Sequence, residues 1–207
     1  MKLVSIVLAG GACERFGGSK LGAILGGRPL LAHALDSAAA ASDDIVVVVG
    51  HCPDVSGLAN DWASATGMAV RIIAAADSAE GMGASLRAGL EVLAPDVDGA
   101  FVFLGDMPFI PGALLAQLAD ALARGAAAAA PTYHGVRGHP VLLGRSLIAQ
   151  RARIMGDRGA SGLLASEPGL VLIEAESDGV LFDIDTPAAL AEASALARRL
   201  HLWRDVA

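Results

Sequence analysis

Residues 7–20 read V-L-A-G-G-A-C-E-R-F-G-G-S-K, and this stretch decides how the rest of the chain is interpreted. An apolar run from Leu3 to Ala9 ends at a pair of glycines, and two cations, Arg15 and Lys20, follow on either side of a second glycine pair. Glycines let backbone N–H groups approach a phosphate closely, while arginine and lysine supply positive charge. The stretch therefore predicts an anion pocket; the alternative is an ordinary strand-to-helix turn with solvated charges.

Two familiar phosphate-binding motifs do not fit these glycines. A Walker A loop ends in Gly-Lys followed by Ser or Thr, whereas here Ser19 precedes Lys20 and Leu21 follows it. The dinucleotide fingerprint G-x-G-x-x-G fails because the glycines fall at positions 10, 11, 17 and 18. The failed fingerprint argues against a nicotinamide-dependent oxidoreductase.

Composition and charge exclude several classes of protein. Hydrophobic residues make up 54% of the 207 residues and charged residues 18%, which indicates a globular interior rather than disorder. The formal charge of −7 argues against a general nucleic-acid surface. No unbroken apolar stretch reaches the length of a membrane span, and the first apolar run is too short for a signal peptide. We therefore expect a cytoplasmic protein with no membrane contact, folded as one domain over residues 1–207.

Apolar runs typical of strands buried on both faces alternate with segments of helical periodicity. Strands are predicted at 2–9, 44–50, 70–74, 99–104, 126–130, 170–174 and 180–184, and helices at 55–65 and 111–124 and from Pro29. The alternation predicts an α/β fold, with a mostly parallel, Rossmann-like sheet between two helical layers. Ligands of such sheets bind beyond the carboxyl ends of the strands, so the loops after Ala9, Ala74 and Leu104 should share one side.

Two of these loops carry residues suited to a nucleotide and a metal. In G-M-G-A-S-L-R-A-G, residues 81–89, Gly83 and Ser85 lie at a predicted helix start, whose free N–H groups favour an anion. The G-D-M-P segment, residues 105–108, places Asp106 at the end of an apolar strand, where a carboxylate can hold Mg²⁺ against a triphosphate. A plain helix start and a common turn are the alternatives.

Three later segments add further candidates. His139 and Pro140 belong to a tight turn, G-H-P-V-L, which precedes an apolar strand. The G-D-R-G-A segment, residues 156–160, offers either a helix cap with a solvated charge or another contact to an anionic substrate. In D-I-D-T-P, Asp183 and Asp185 would share a face of a strand, and Thr186-Pro187 would start the last helix.

Taken together, these motifs resemble the MobA-like nucleotidyltransferases, which join a nucleotide to molybdopterin. The pattern L-A-(G/A)-G-x-x-x-R-(M/F)-G-G-x-K fits residues 8–20, and the matching segments extend to Pro187. The resemblance implies a three-layer α/β/α fold of the GT-A-like nucleotidyltransferase type, with Mg²⁺ or Mn²⁺ as cofactor. It implies catalysis by Arg15, Lys20 and Asp106, nucleotide binding by Leu8, Ala9, Gly10, Gly11, Lys20, Gly83 and Ser85, metal binding by Asp106 and Asp185, and a second substrate facing His139 and Pro140.

The resemblance leaves the nucleotide open. The middle segments are most similar to the cytidylyltransferase branch, which uses CTP to make molybdopterin cytosine dinucleotide for molybdenum hydroxylases. The glycine pair Gly10-Gly11 is nearer the guanylyltransferase pattern, which implies GTP and molybdopterin or another phosphorylated acceptor. A chain that keeps the fold but only binds pterin or nucleotide, as a maturation chaperone, is a further alternative.

Overall fold

A computed structural model describes residues 1–11, 16, 19–50, 52 and 54–200 of the chain. Its strands are β1 (Leu3–Ala9), β2 (Ile24–Leu25), β3 (Arg28–Pro29), β4 (Ile45–Val49), β5 (Val70–Ala74), β6 (Gly99–Leu104), β7 (Ala128–Tyr133), β8 (Val136–Arg137), β9 (Val141–Gly144) and β10 (Leu170–Glu174). Its α-helices are α1 (Leu30–Ala41), α2 (Asp54–Thr66), α3 (Met82–Glu91), α4 (Gly112–Ala123), α5 (Arg145–Ile148), α6 (Ser161–Leu164) and α7 (Pro187–Leu200). Within these ranges, no helix is both long and apolar enough to cross a bilayer.

The strands form an eight-stranded, mostly parallel sheet in the order β10-β7-β9-β6-β1-β4-β5, with β8 paired to β7. Strands β1, β4, β5 and β6 run parallel, as do β7 and β10. Strand β9 runs antiparallel to both of its neighbours, β6 and β7. The carboxyl ends of β1, β4 and β6 therefore meet at one edge of the sheet.

Helices cover both faces of the sheet, which explains the continuous apolar runs of its central strands. Along β1, Val7 and Ala9 pack on one face with side chains of α1, α2 and α4, while Ile6 and Leu8 pack on the other with side chains of α3 and α5. The result is the three-layer α/β/α arrangement predicted from the sequence.

The register of the central strands places the first glycine loop beside the G-D-M-P segment. Leu8 of β1 pairs with Leu104 of β6, and the Gly105 N–H donates to the Leu8 carbonyl at 2.9 Å. Ala9 pairs on its other side with Val49 of β4. Residues that follow these strands therefore emerge at the same level of the sheet edge.

One strand predicted from the sequence does not form. Residues 178–180 make a short 3-10 turn, and the segment from Leu181 to Thr186 is irregular. Its backbone is bound elsewhere: the His139 N–H donates to the Val180 carbonyl, and the Ile184 N–H donates to the Asp106 carbonyl at 3.1 Å. The apolar run thus crosses the carboxyl-end edge of the sheet instead of joining it.

Candidate active site

Lys20, Asp106 and Asp185 come together at the carboxyl edge of the sheet. The Lys20 Nζ lies 2.6 Å from Asp106 Oδ2 and 2.6 Å from Asp185 Oδ1, so one ammonium bridges two carboxylates. Lys20 begins a short 3-10 turn after the glycine loop, Asp106 follows β6, and Asp185 precedes α7. The hydrogen bond from the Ile184 N–H to the Asp106 carbonyl holds the segment before α7 against the loop after β6.

Burial alone would lower the pKa of Lys20, but the charges of Asp106 and Asp185 and its hydrogen bonds to both outweigh burial and raise that pKa. The ammonium is therefore charged at neutral pH. Asp183 belongs to the same electrostatic cluster, because burial and then the charges of Asp185 and Asp106 raise the pKa of its carboxyl. The cluster carries more negative than positive charge within the described part of the chain.

This excess of carboxylate oxygen fits a divalent cation that shares its ligands with a substrate. The Asp106 and Asp185 oxygens both lie 2.6 Å from the same nitrogen, so they already point at a common position. Among the described residues, no set of three or more His, Cys, Asp or Glu side chains is placed to hold an ion by itself. Magnesium typically binds through one or two carboxylates, with phosphate and water oxygens completing its shell.

A cleft opens next to Lys20 and Asp106. It is lined by Leu8, Ala9, Gly11, Ser19, Lys20, Leu21, Cys52, Val55 and Asp106. The Ser19 hydroxyl oxygen is buried, and it has no hydrogen-bond partner among the residues that the structure describes. A buried hydroxyl without a hydrogen-bond partner destabilises the fold, so a ligand group that forms a hydrogen bond with it would remove that free-energy cost.

Gly10 holds the ends of β1, β4 and α3 close together. A Cβ on Gly10 would lie 2.9 Å from Ser85 Oγ, and a Cβ on Gly50 would lie 2.6 Å from the Gly10 carbonyl oxygen. Only glycines allow this approach, which brings the amino end of α3 to the first loop. Ser85, buried in α3, thus lies beside the nucleotide-binding stretch predicted from the sequence.

Gly83 has a packing role that its motif did not reveal. A Cβ at this position would lie 2.6 Å from the Gly156 carbonyl oxygen, so the helix start packs directly on the 155–157 segment. Arg87 strengthens the same contact, since its Nη1 donates to the Ile154 carbonyl. Nucleotide binding by Gly83 stays a prediction.

The turn that holds His139 and Pro140 borders a second cleft, of about 120 Å³. Burial lowers the pKa of His139 below its ordinary value, although the charge of Asp106 acts in the opposite direction, so the imidazole is neutral at pH 7. His139 lines this cleft together with Met82, Arg137, Arg158 and Ser161. Pro140 is buried at the turn into β9 and does not line the cleft.

The structure brings together Lys20, Asp106 and Asp185, which are far apart in the sequence. Arg15, predicted to be catalytic, lies outside the described residues, as do Gly17 and Gly18. Sequence reasoning did not single out Ser19 or Arg137 as site residues. The position of Ser19 between the glycine pair and Lys20 could have indicated a site residue. No sequence feature indicated Arg137, because its segment resembles an ordinary hairpin.

Comparison with known proteins assigns the chain to a family. The family model described as "MobA-like NTP transferase domain" matches residues 5–171. The chain therefore belongs to the MobA-like NTP transferase family. The match includes most of β1, the glycine loop, Asp106 and the residues that line the second cleft, and it ends before Asp185.

A curated relative is similar to most of this chain. The bifunctional protein GlmU of Sorangium cellulosum is 31% identical over 169 residues, which are 80% of this chain and 36% of that protein. The chain thus spans about a third of that relative's length.

Two solved structures share the fold. The Archaeoglobus fulgidus molybdopterin-guanine dinucleotide biosynthesis protein A aligns with a TM-score of 0.69 and 22% identity, covering 95% of this chain and 99% of that one. The complex of Mycobacterium tuberculosis H37Rv Rv0371C with manganese aligns with a TM-score of 0.75 and 23% identity, covering 94% and 99%. At these identities the similarity shows a common nucleotidyltransferase fold.

Proposed function

We propose that this protein transfers a nucleotidyl group from a nucleoside triphosphate, CTP by preference, to the terminal phosphate of molybdopterin and releases pyrophosphate. The whole chain would act as one transferase domain. The observation that carries the proposal is the Lys20 ammonium held by Asp106 and Asp185 beside a cleft at the sheet edge. A charged lysine and converging carboxylates at this position suit a metal-bound polyphosphate.

The reaction needs charge neutralisation and alignment more than proton transfer. A phosphate monoester is largely dianionic at neutral pH, so its oxygen can attack without a general base. That oxygen forms a bond to the α-phosphorus, the bond from the α-phosphorus to the bridging oxygen breaks, and pyrophosphate leaves with the electron pair. The protein's contribution is to hold the two phosphates in line and to stabilise the charge that develops.

Each side chain has a distinct role in this proposal. The Lys20 ammonium donates to phosphate oxygens, and Arg15 would add a second cation from the same loop. The Ser19 hydroxyl, which has no partner among the described residues, donates to a phosphate oxygen or the ribose. Leu8, Ala9 and Gly11 line the cleft that receives the nucleotide.

Asp106 and Asp185 would hold a divalent cation, Mg²⁺ or Mn²⁺. When bound, the ion supplies positive charge that neutralises the phosphate oxygens during transfer. The manganese complex of the M. tuberculosis protein supports a divalent ion on this fold.

GTP is the second candidate nucleotide. Gly10-Gly11 favours it, since that pair is nearer to the guanylyltransferase pattern, whereas residues 81–89 and 138–142 favour the cytidylyltransferase branch. The two activities would use the same cation and carboxylates and would differ in their base contacts.

Incubation with each of the four triphosphates labelled at the α-phosphate, Mg²⁺ and molybdopterin tests the proposal. We expect pyrophosphate release and a labelled dinucleotide with CTP. A dinucleotide formed only with GTP would favour the second candidate. Saturable nucleotide or pterin binding without pyrophosphate from any triphosphate would contradict transfer and favour a non-catalytic chaperone.

A further inference from the structure

The second cleft contains two arginines that form no ion pair with the described acidic residues. Arg137 and Arg158 both line it, and within the described ranges neither forms an ion pair with a carboxylate. Arg28, Arg71 and Arg145 each pair with an aspartate. Arg124, Arg151 and Arg153 also form no ion pair among the described residues, but they do not line the cleft. In a chain with a formal charge of −7, two unpaired guanidinium groups in one cleft indicate an anion site.

Both arginines are placed by elements with defined packing. Arg137 is in β8, which pairs with β7 through Thr132. Arg158 ends a short 3-10 turn, Gly156–Arg158, whose first residue packs on Gly83 at the start of α3. The cleft is therefore formed by the second half of the sheet on one side and the amino end of α3 on the other.

The other residues that line the cleft suit a ligand that has an apolar body as well as a negative charge. Met82, Val141 and Leu164 supply apolar surface, and Ser161 supplies a hydroxyl. The thioether of Met82 adapts well to a flat or irregular apolar group. A phosphate attached to an apolar or ring-bearing body matches this combination better than a free inorganic anion does.

The position of the cleft relative to the reaction centre is set by His139. The His139 backbone N–H donates to the Val180 carbonyl at 2.9 Å, and Ile184 in the same segment donates to the Asp106 carbonyl at 3.1 Å, so one short segment joins the turn at the second cleft to the reaction centre. A ligand in the second cleft would therefore be adjacent to a nucleotide held at Lys20 and Asp106.

We propose that Arg137 and Arg158 bind the phosphate of the acceptor, which places a phosphate monoester with an apolar body in the second cleft. The identity of this ligand as the acceptor rests on the proposed transfer reaction. The anion site itself does not depend on that reaction. The same phosphate chemistry could come from the nucleoside triphosphate, and the experiment separates the two sources.

Titration of the full-length protein with phenyl phosphate, followed by the NMR signals of the arginine Nε groups, tests this site. The variants are Arg137→Gln and Arg158→Gln, and the matched control is Arg124→Gln, which removes an exposed arginine outside the cleft. We expect wild type and the control to bind alike and each cleft variant to bind about 10- to 100-fold more weakly, the range for losing a charge-assisted hydrogen bond. Inorganic phosphate should bind more weakly than phenyl phosphate.

Binding of CTP with Mg²⁺ is measured in parallel by calorimetry. We expect it to be unchanged in both cleft variants, and we expect saturating CTP to leave phenyl phosphate binding intact. Phenyl phosphate binding that is absent in wild type, or equal in wild type and both cleft variants, would overturn the inference. A loss of CTP binding in the cleft variants would also overturn it, by assigning the arginines to the nucleotide. Phenyl phosphate binding through the arginines without any CTP binding would support the anion site and contradict the proposed transfer.

Discussion

The Lys20 ammonium lies 2.6 Å from the Asp106 carboxylate, although the two residues are 86 positions apart in the sequence. The same nitrogen lies 2.6 Å from Asp185, a further 79 positions along the chain. Both acids reach the ammonium because β6 ends beside β1 and the irregular segment before α7 is fixed to the Asp106 backbone. The fold thus brings a cation and metal-ligand oxygens to one point from three separate segments.

Replacing Lys20 tests the cation directly. Lys20→Ala should lower nucleotidyl transfer by about 10²- to 10³-fold, because the donor that stabilises developing phosphate charge is lost. The measurement is pyrophosphate release at saturating triphosphate. The matched control is Lys2→Ala, which removes the chain's other lysine at a surface ion pair with Asp96 and should leave the rate unchanged. Equal rates for the two variants would show that Lys20 is not catalytic.

Ser19→Ala tests whether the buried hydroxyl serves the nucleotide. We expect KM for the triphosphate to rise about tenfold with little change in kcat, which is typical for loss of a hydrogen bond to a charged group in the bound state. Ser64→Ala, at an exposed serine of α2, is the control. An unchanged KM in Ser19→Ala would mean that the hydroxyl does not contact the nucleotide.

The packing of α3 on the 155–157 segment gives a stability prediction. Gly83→Ala should lower the free energy of unfolding by about 1–3 kcal/mol, because its Cβ would lie 2.6 Å from the Gly156 carbonyl oxygen. Gly57→Ala is the matched control: nothing lies within 4 Å of its Cβ in α2, so alanine should stabilise the helix by about 0.5–1 kcal/mol. Urea unfolding measures both. A stabilised Gly83→Ala protein would contradict the described contact.

Buried His33 predicts how stability depends on pH. Burial lowers its pKa below 6.5, and the nearby charge of Arg28 acts in the same direction, while the Leu25 carbonyl and Asp36 oppose them. Its Nε2 lies 2.9 Å from that carbonyl, which can only accept, so Nε2 carries a proton. Because its pKa is lowered, the folded protein favours the neutral form of His33. The unfolded chain binds a proton at this residue as the pH falls through 6.5, and folding stability therefore falls with the pH.

His33→Gln keeps an N–H donor but does not titrate. Urea unfolding at pH 7.5 and 5.5 should show a smaller loss of stability in this variant than in wild type. Some loss will remain, because burial also lowers the pKa of His139. The same loss in both proteins would show that His33 does not contribute.

The sequence was informative where one physical requirement dominates. The central strands were predicted because burial on both faces demands unbroken apolar residues, as in β4 and β6. The proximity of Lys20 and Asp106 was expected from motifs at strand ends, whereas Asp185 was placed there by the family resemblance. Helix α7 begins at Pro187 as expected, with the Thr186 hydroxyl accepting from the Ala189 N–H as its cap. Neither Asp183 nor Asp185 is needed as that cap.

The features that the sequence did not reveal depend on contacts between distant segments. The run from Val180 to Ile184 has the composition of a strand, but its backbone bonds to His139 and Asp106 instead of a neighbouring strand. The second cleft was missed because Arg137 acquires its setting only when β8 faces the Gly156–Arg158 turn. The pairing of Lys20 with two carboxylates was likewise invisible in the sequence, where lysine suggested only a phosphate.

The most direct test of the site is pyrophosphate release by Asp106→Asn with Mg²⁺, CTP and molybdopterin. The substitution keeps the size of the side chain and removes its charge, and Asp120→Asn on the exposed side of α4 is the control. Loss of at least about 10²- to 10³-fold in Asp106→Asn, with the control at the wild-type rate and both proteins folded, is the predicted result. A folded Asp106→Asn protein that transfers nucleotide at nearly the wild-type rate would contradict the proposed site.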